Sequence, residues 1–151
     1  MYNFAYQRPS SLADAEAALK GADDGKIMAG GQTLLPTLKQ RLANPSDVID
    51  IGRIAELSGI AVAGGVVTIG ATTRHADVAG SADVAGAIRA LAACAGMVGD
   101  PQVRNMGTLG GSIANSDPAA DYPAAVLGLG ATITTTKRDI EIGRASCRER
   151  V

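Results

Sequence analysis

Thr108-Leu109-Gly110-Gly111-Ser112-Ile113-Ala114-Asn115-Ser116-Asp117-Pro118-Ala119-Ala120-Asp121 is the stretch around which the rest of the chain is read. It gathers small residues, hydroxyls and carboxylates with almost no bulk. Gly110 and Gly111 together lack two Cβ atoms, so another backbone or a ligand can come close. Successive exposed N–H groups in such a segment can form a concavity that takes an anion. Asp117 and Asp121 supply acceptors suited to ribose or ribityl hydroxyls. Taken alone, the same residues also describe a tight surface turn followed by a helix start at Asp117-Pro118.

A second glycine pair lies far upstream, in Ala29-Gly30-Gly31-Gln32-Thr33-Leu34-Leu35-Pro36. It follows the apolar Ile27-Met28 and precedes an amphipathic run. Strand, glycine turn and helix in that order point backbone donors at a phosphate. Two such segments in one small chain suggest one extended phosphate-bearing ligand held from both sides.

The elements around these segments follow from periodicity and punctuation. Asn3 to Gln7 alternates as a short strand, and Ser10 or Ser11 can cap a helix carrying Leu12, Ala15 and Leu19. Lys26 to Ala29 reads as an interior strand because its centre is apolar. Thr33 then caps a helix with Leu34, Leu35, Leu38 and Leu42 on one face, and Pro36 is tolerated in its first turn. Val48 to Ile51 is a third strand, which makes residues 1–54 a small parallel α/β unit. After Arg53 the pattern changes. Gly59 to Ala63, Gly64-Gly65 and Val66 to Gly70 read as a β-hairpin. Thr72 or Thr73 caps a short helix containing His75, and a longer helix is expected over 82–95. Residues 96–107 read as a loop, 119–128 as a helix and 131–136 as a strand. The expected division is 1–54 and an incomplete 55–141, in an α+β fold.

The last ten residues, Ile-Gly-Arg-Ala-Ser-Cys-Arg-Glu-Arg-Val (142–151), break the preceding pattern. They resemble the in-frame translation of a sequencing-library adapter and are expected to be a non-native tail, with the natural chain continuing beyond about Glu141.

Composition narrows the function classes. The chain of 151 residues is 46% hydrophobic, which is enough for a core. With one Phe and no Trp, that core must pack small aliphatic side chains. A formal charge of −1 gives no reason to expect nucleic acid. No apolar run approaches about 20 residues, so no membrane-spanning helix is expected. The start lacks the basic and apolar regions of a secretory signal. Cys94 and Cys147 show no metal-ligand or CxxC spacing, and the composition suits a reducing cytoplasm.

The chain resembles the FAD-binding medium subunit of molybdenum hydroxylases, of the xanthine dehydrogenase and aerobic carbon monoxide dehydrogenase type. The resemblance is carried by AGGQTLLP (29–36), NPSDVIDIGRI (44–54), ATTRHADV (71–78) and DPQVRNMGTLGGSIANSDPAADYPAAVLGLGA (100–131), and runs from Tyr2 to about Asp139. It implies two subdomains, a small α/β unit and a larger antiparallel one, with FAD between them. Gly30, Gly31, Gln32 and Thr33 match the family's first FAD loop, flanked by Ala29 and Leu34. Thr108, Gly110, Gly111 and Ser112 match the second, and Asp121 matches a flavin-contacting carboxylate. Val98 falls where some relatives carry an aromatic against the flavin. The resemblance also implies a small subunit with [2Fe-2S] clusters and a large subunit with the molybdenum cofactor.

Other candidates stay open at this level. Arg104 can bind a phosphate bidentately or pair with Asp100. His75, the only histidine, reads as a solvated or hydrogen-bonded structural residue. No acid–base pair or activated nucleophile appears, so no catalytic residue is expected, as suits a chain whose cofactor carries the chemistry. A stand-alone flavin oxidase or reductase of the same fold is an alternative, as is a non-redox nucleotide-binding module. A Rossmann site is disfavoured because no GxGxxG follows a strand, and GxxxxGK[ST] is absent.

Overall fold

The computed structural model describes residues 1–142. The chain opens with β1 (Ala5–Gln7), α1 (Leu12–Gly21), β2 (Gly25–Met28), α2 (Leu34–Lys39) and β3 (Asp47–Asp50). The three strands form one parallel sheet in the order β1-β3-β2. Ser11 caps α1 by accepting the Asp14 N–H at 3.1 Å. Val48 and Ile49 are buried in β3, and Ile49 packs with Ala15 and Ile54 under α1. Burial of each large aliphatic side chain is worth about 1.5–3 kcal/mol.

Two expectations for this part are corrected. β2 is an edge strand, not an interior one, and Ile27 is exposed. The central place belongs to β3, which inserts between β1 and β2 and pairs in parallel with both, so β2 keeps one side unpaired. The helix carrying Leu38 ends at Lys39, and Arg41 takes a left-handed φ of 61°. The apolar stripe therefore stops before Leu42, which is 73% exposed.

A 3₁₀ turn at Ala55–Leu57 leads to β4 (Ile60–Ala63) and β5 (Val66–Ile69), an antiparallel hairpin. Gly64 and Gly65 both have positive φ, 57° and 79°, as a two-residue turn matched to strand twist requires. Helices α3 (His75–Gly80), α4 (Ala82–Ala87), α5 (Arg89–Met97), α6 (Pro101–Met106), α7 (Leu109–Asn115) and α8 (Asp121–Gly128) follow, then a second antiparallel pair, β6 (Thr132–Thr134) and β7 (Asp139–Glu141). Val78, Val84, Leu91, Ala95 and Tyr122 form the core of this region. The mixture of helix with one parallel and two antiparallel sheets is the α+β class expected.

Several local expectations change here. Arg74, not a threonine, precedes α3; the Thr73 hydroxyl is instead held between the N–H and C=O of Gly59, both at 3.0 Å. The long helix over 82–95 is two, broken at Ile88 (φ −140°, ψ 76°). The loop over 96–107 contains α6, which Asp100 caps by accepting the Val103 N–H at 2.9 Å, with Pro101 in its first turn. Residues 109–115 are helical, so the second glycine pair lies inside the first turn of α7. Of the expected non-native tail, Ile142 donates its N–H to Ala131 at 3.2 Å; the remainder, 143–151, lies outside the described residues.

Candidate functional site

β2 delivers the chain into the first glycine segment. The Met28 carbonyl accepts the Ile51 N–H at 2.9 Å, which fixes the end of the strand. Gly31 then takes φ 71°, the left-handed region a Cβ disfavours, and its carbonyl accepts the Leu35 N–H at 3.0 Å to begin α2. Thr33 occupies the cap position without a side-chain capping bond. The N–H groups of Gly31, Gln32, Thr33 and Leu34 form no hydrogen bond among the described residues. Four consecutive amide donors without partners, at a left-handed turn, are what an anion needs.

The second segment is organised differently. The Thr108 hydroxyl accepts the Gly111 N–H at 3.2 Å and the Thr108 carbonyl accepts that of Ser112 at 3.0 Å. Leu109 donates to Thr73 at 3.0 Å and Gly110 to Ala71 at 2.9 Å. The first four amides of α7 are thus already engaged, and the expected row of free donors there is absent. Gly110 is required because a Cβ would lie 2.6 Å from the Ala71 carbonyl oxygen and 2.7 Å from its Cα. At this segment the glycine admits a backbone.

The two segments touch. A Cβ on Gly30 would fall on the Met106 carbonyl oxygen and 2.8 Å from the Gly107 Cα. A Cβ on Gly111 would be 3.9 Å from the Ala29 methyl. Around this junction opens a cleft of about 780 Å³, within the size range of cofactor sites. Ten of the eleven sequence candidates line it: Ala29 to Leu34, with Thr108, Gly110, Gly111 and Ser112. Asp121 does not. It is exposed at the first residue of α8, while Ala120 and Asp117 reach the cleft wall. Asn115, one turn after Ser112 on α7, and Lys26 on the edge strand also line the cleft and were not singled out from sequence. The three-residue spacing of Ser112 and Asn115 puts both on one face once the segment is helical.

Arg104 makes no ion pair with Asp100 among the described residues and does not line the cleft. Its Nη1 donates to the carbonyls of Val98 and Gly99, both at 3.2 Å, closing the end of α5. His75 is buried rather than solvated, at 4% exposure. Burial pushes its pKa down. Its ring stands 5.2 Å from that of Tyr122, whose hydroxyl burial pushes well above the usual range. Cys94 is half-buried, its thiol pushed up by burial and then by the Asp121 charge. Among the described residues no group of three His, Cys, Asp or Glu side chains could hold a metal ion. The cleft is equipped to bind and orient a group, with unpartnered backbone N–H donors on one wall and hydroxyl, amide and carboxylate side chains on the other.

Residues 2–143 match the family described as the FAD binding domain in molybdopterin dehydrogenase. The chain belongs to this family. Its FAD-binding domain is 42% identical over 130 residues to the glyceraldehyde dehydrogenase medium chain of Sulfolobus acidocaldarius, covering 86% of this chain and 46% of that one. It is 44% identical over 122 residues to the carbon monoxide dehydrogenase medium chain of Hydrogenophaga pseudoflava, covering 80% and 42%. Among solved structures, carbon monoxide dehydrogenase from Hydrogenophaga pseudoflava superposes with a TM-score of 0.90 at 40% identity, over 93% of this chain and 51% of that one. Quinoline 2-oxidoreductase from Pseudomonas putida 86 gives 0.88 at 35% identity, over 93% and 50%. The FAD-binding domain thus spans about half the length of the relatives it matches. No helix among the described residues is long and apolar enough to cross a membrane.

The residues present fit the cofactor the family is named for. A dinucleotide brings two adjacent phosphates, and the unpartnered amides of Gly31 to Leu34 form one wall of a cleft large enough to receive it.

Proposed function

We propose that this chain is the FAD-binding part of a medium subunit in a molybdenum hydroxylase, working beside an iron–sulfur small subunit with [2Fe-2S] clusters and a large subunit holding the molybdenum cofactor. The observation that carries the reading is the meeting of the two glycine segments across one cleft with unpartnered amides on its wall. When bound, FAD supplies an electron relay, accepting electrons singly from iron–sulfur clusters on the partner and passing them to an external acceptor. The chain's own residues do the holding. The amides of Gly31 to Leu34 receive the diphosphate, with Ala29 and Gly30 bringing the turn against Gly107. Thr108, Gly110, Gly111 and Ser112 form the facing wall, and the Ser112, Asn115 and Asp117 side chains offer partners to sugar hydroxyls. Asp121, at the exposed start of α8, is the carboxylate the resemblance assigns to the flavin.

The division into 1–54 and 55–141 is supported by the separate parallel and antiparallel sheets and by two distinct apolar clusters. A cytoplasmic location follows from the same reading.

The test is to produce the complete natural polypeptide with its neighbouring subunits and record its absorption. The expected result is a flavin spectrum that bleaches when the enzyme's substrate is added anaerobically. A folded, assembled complex with no flavin, or one whose flavin never reduces, would overturn the reading.

A further inference from the structure

One cleft residue has no part in the scheme above. His75, the first residue of α3, lines the cleft although it is only 4% exposed. Its Nδ1 is sealed from solvent and has no hydrogen-bond partner, whereas Nε2 is not sealed and also bonds to nothing among the described residues. The Nε2 edge of the ring lies against Gly107: a Cβ there would be 2.7 Å from Nε2 and 2.9 Å from Cδ2. The Gly107 carbonyl in turn accepts the His75 N–H at 3.0 Å, which fixes the ring's base beside it.

A neutral imidazole has one N–H and one lone pair. A buried N–H without an acceptor is rarer and less tolerable than a buried lone pair without a donor. The proton therefore belongs on Nε2, where the ring reaches the cleft, and not on the sealed Nδ1. Gly107 also marks the spot where the first glycine segment presses in, since the Gly30 Cβ position is 2.8 Å from its Cα. The ring edge of His75 and the Gly30 turn that leads into the free amides of Gly31 to Leu34 thus both meet Gly107, and His75 lines the same cleft as those amides.

We propose that His75, as the Nε2–H tautomer, donates a hydrogen bond to a phosphate oxygen of the dinucleotide bound in this cleft. The assignment rests on the FAD reading above and adds a side-chain donor to a cradle otherwise made of backbone. Gly107 is then glycine so that the imidazole edge can pass it.

The complete natural polypeptide is titrated with FAD and, separately, with riboflavin, which has no phosphate. Losing a hydrogen bond to a charged group should weaken FAD binding by His75→Leu about tenfold or more. His75→Gln, which keeps an N–H donor, should stay within about threefold of wild type, and riboflavin should bind all three alike. Equal FAD affinity in the three proteins, or an equal loss for riboflavin, would overturn the proposal while leaving the FAD reading intact. Wild type that binds no FAD would overturn both. If His75→Leu does not fold, nitrogen NMR of histidine-labelled wild type decides, with the His75 signals assigned by their loss in His75→Gln. The expected result is an Nε2–H tautomer whose Nε2 resonance moves when FAD is added. An Nδ1–H tautomer, or an unmoved Nε2, would refute it.

Discussion

Replacing Gly30 by alanine would put a methyl carbon where the Met106 carbonyl oxygen already lies, 2.8 Å from the Gly107 Cα. Both obstacles are backbone, so no side-chain rotation relieves them and the two segments must separate. Forcing an extra methyl into a packed site costs about 1–3 kcal/mol, offset by about 0.4–1 kcal/mol from the stiffer unfolded chain. At about 2–4 °C per kcal/mol for a chain of this size, Gly30→Ala should melt several degrees below wild type. Gly111→Ala is the control. Its methyl would sit 2.7 Å from the Thr108 hydroxyl, which can rotate away. That forfeits a cap worth about 1 kcal/mol and gains about 1 kcal/mol of helix propensity. Thermal unfolding followed by circular dichroism should therefore show a clear drop for Gly30→Ala and little change for Gly111→Ala. A Gly30→Ala protein melting with wild type, or a Gly111→Ala protein that is the worse of the two, would refute the packing argument.

Three further outcomes are expected. The Thr72 hydroxyl is buried without a partner and does not line the cleft, so Thr72→Val should keep or raise stability by up to about 1 kcal/mol in a denaturant titration; a loss of that size would reveal an unseen partner. Hydrogen bonds from Ser46 and then Gln7 hold the Asp47 carboxyl below its ordinary value of 3.8, so their stabilisation is present above that pH and lost as pH falls through the lowered folded value. Gln7→Leu should thus lower the melting point at pH 6 and matter little near pH 2, and an equal effect at both would contradict the assignment. Burial holds the His75 pKa below 6.5, so the unfolded chain binds the extra proton first, and stability should decline as pH drops below about 6.5 towards the folded value. His75→Gln should flatten that part of the profile, and an unchanged slope would place the dependence elsewhere.

Much of this architecture can be read from the chain because local chemistry dictates it. Gly64-Gly65 between two alternating apolar runs admits few structures other than a hairpin, and Ser11 three residues before Asp14 marks the start of α1. The parallel character of the first three strands follows from the helices between them. What is not legible depends on distant partners. The apolar centre of β2 does not reveal that β3 takes the middle of the sheet. The run 82–95 is helical in composition, yet Ile88 breaks it so that α4 and α5 can both pack on the core. At the site, both glycine pairs are visible, but their reasons differ. Gly30 and Gly110 yield to neighbouring backbone that is remote in sequence, whereas Gly31 answers a local need for positive φ. The engagement of the α7 amides by residues 71–73 and 108 has no sequence signature, so only the fold distinguishes the wall with free donors from the wall without them.

The central claim is that the diphosphate of FAD sits in the cleft where the two glycine segments meet. A crystal structure of the complete natural polypeptide grown with FAD tests it directly. The account predicts phosphate oxygens within about 3.2 Å of the amide nitrogens of residues 31–34, with Thr108 to Ser112 on the facing wall. Phosphates that touch none of those amides, or a dinucleotide lying outside this cleft, would contradict it.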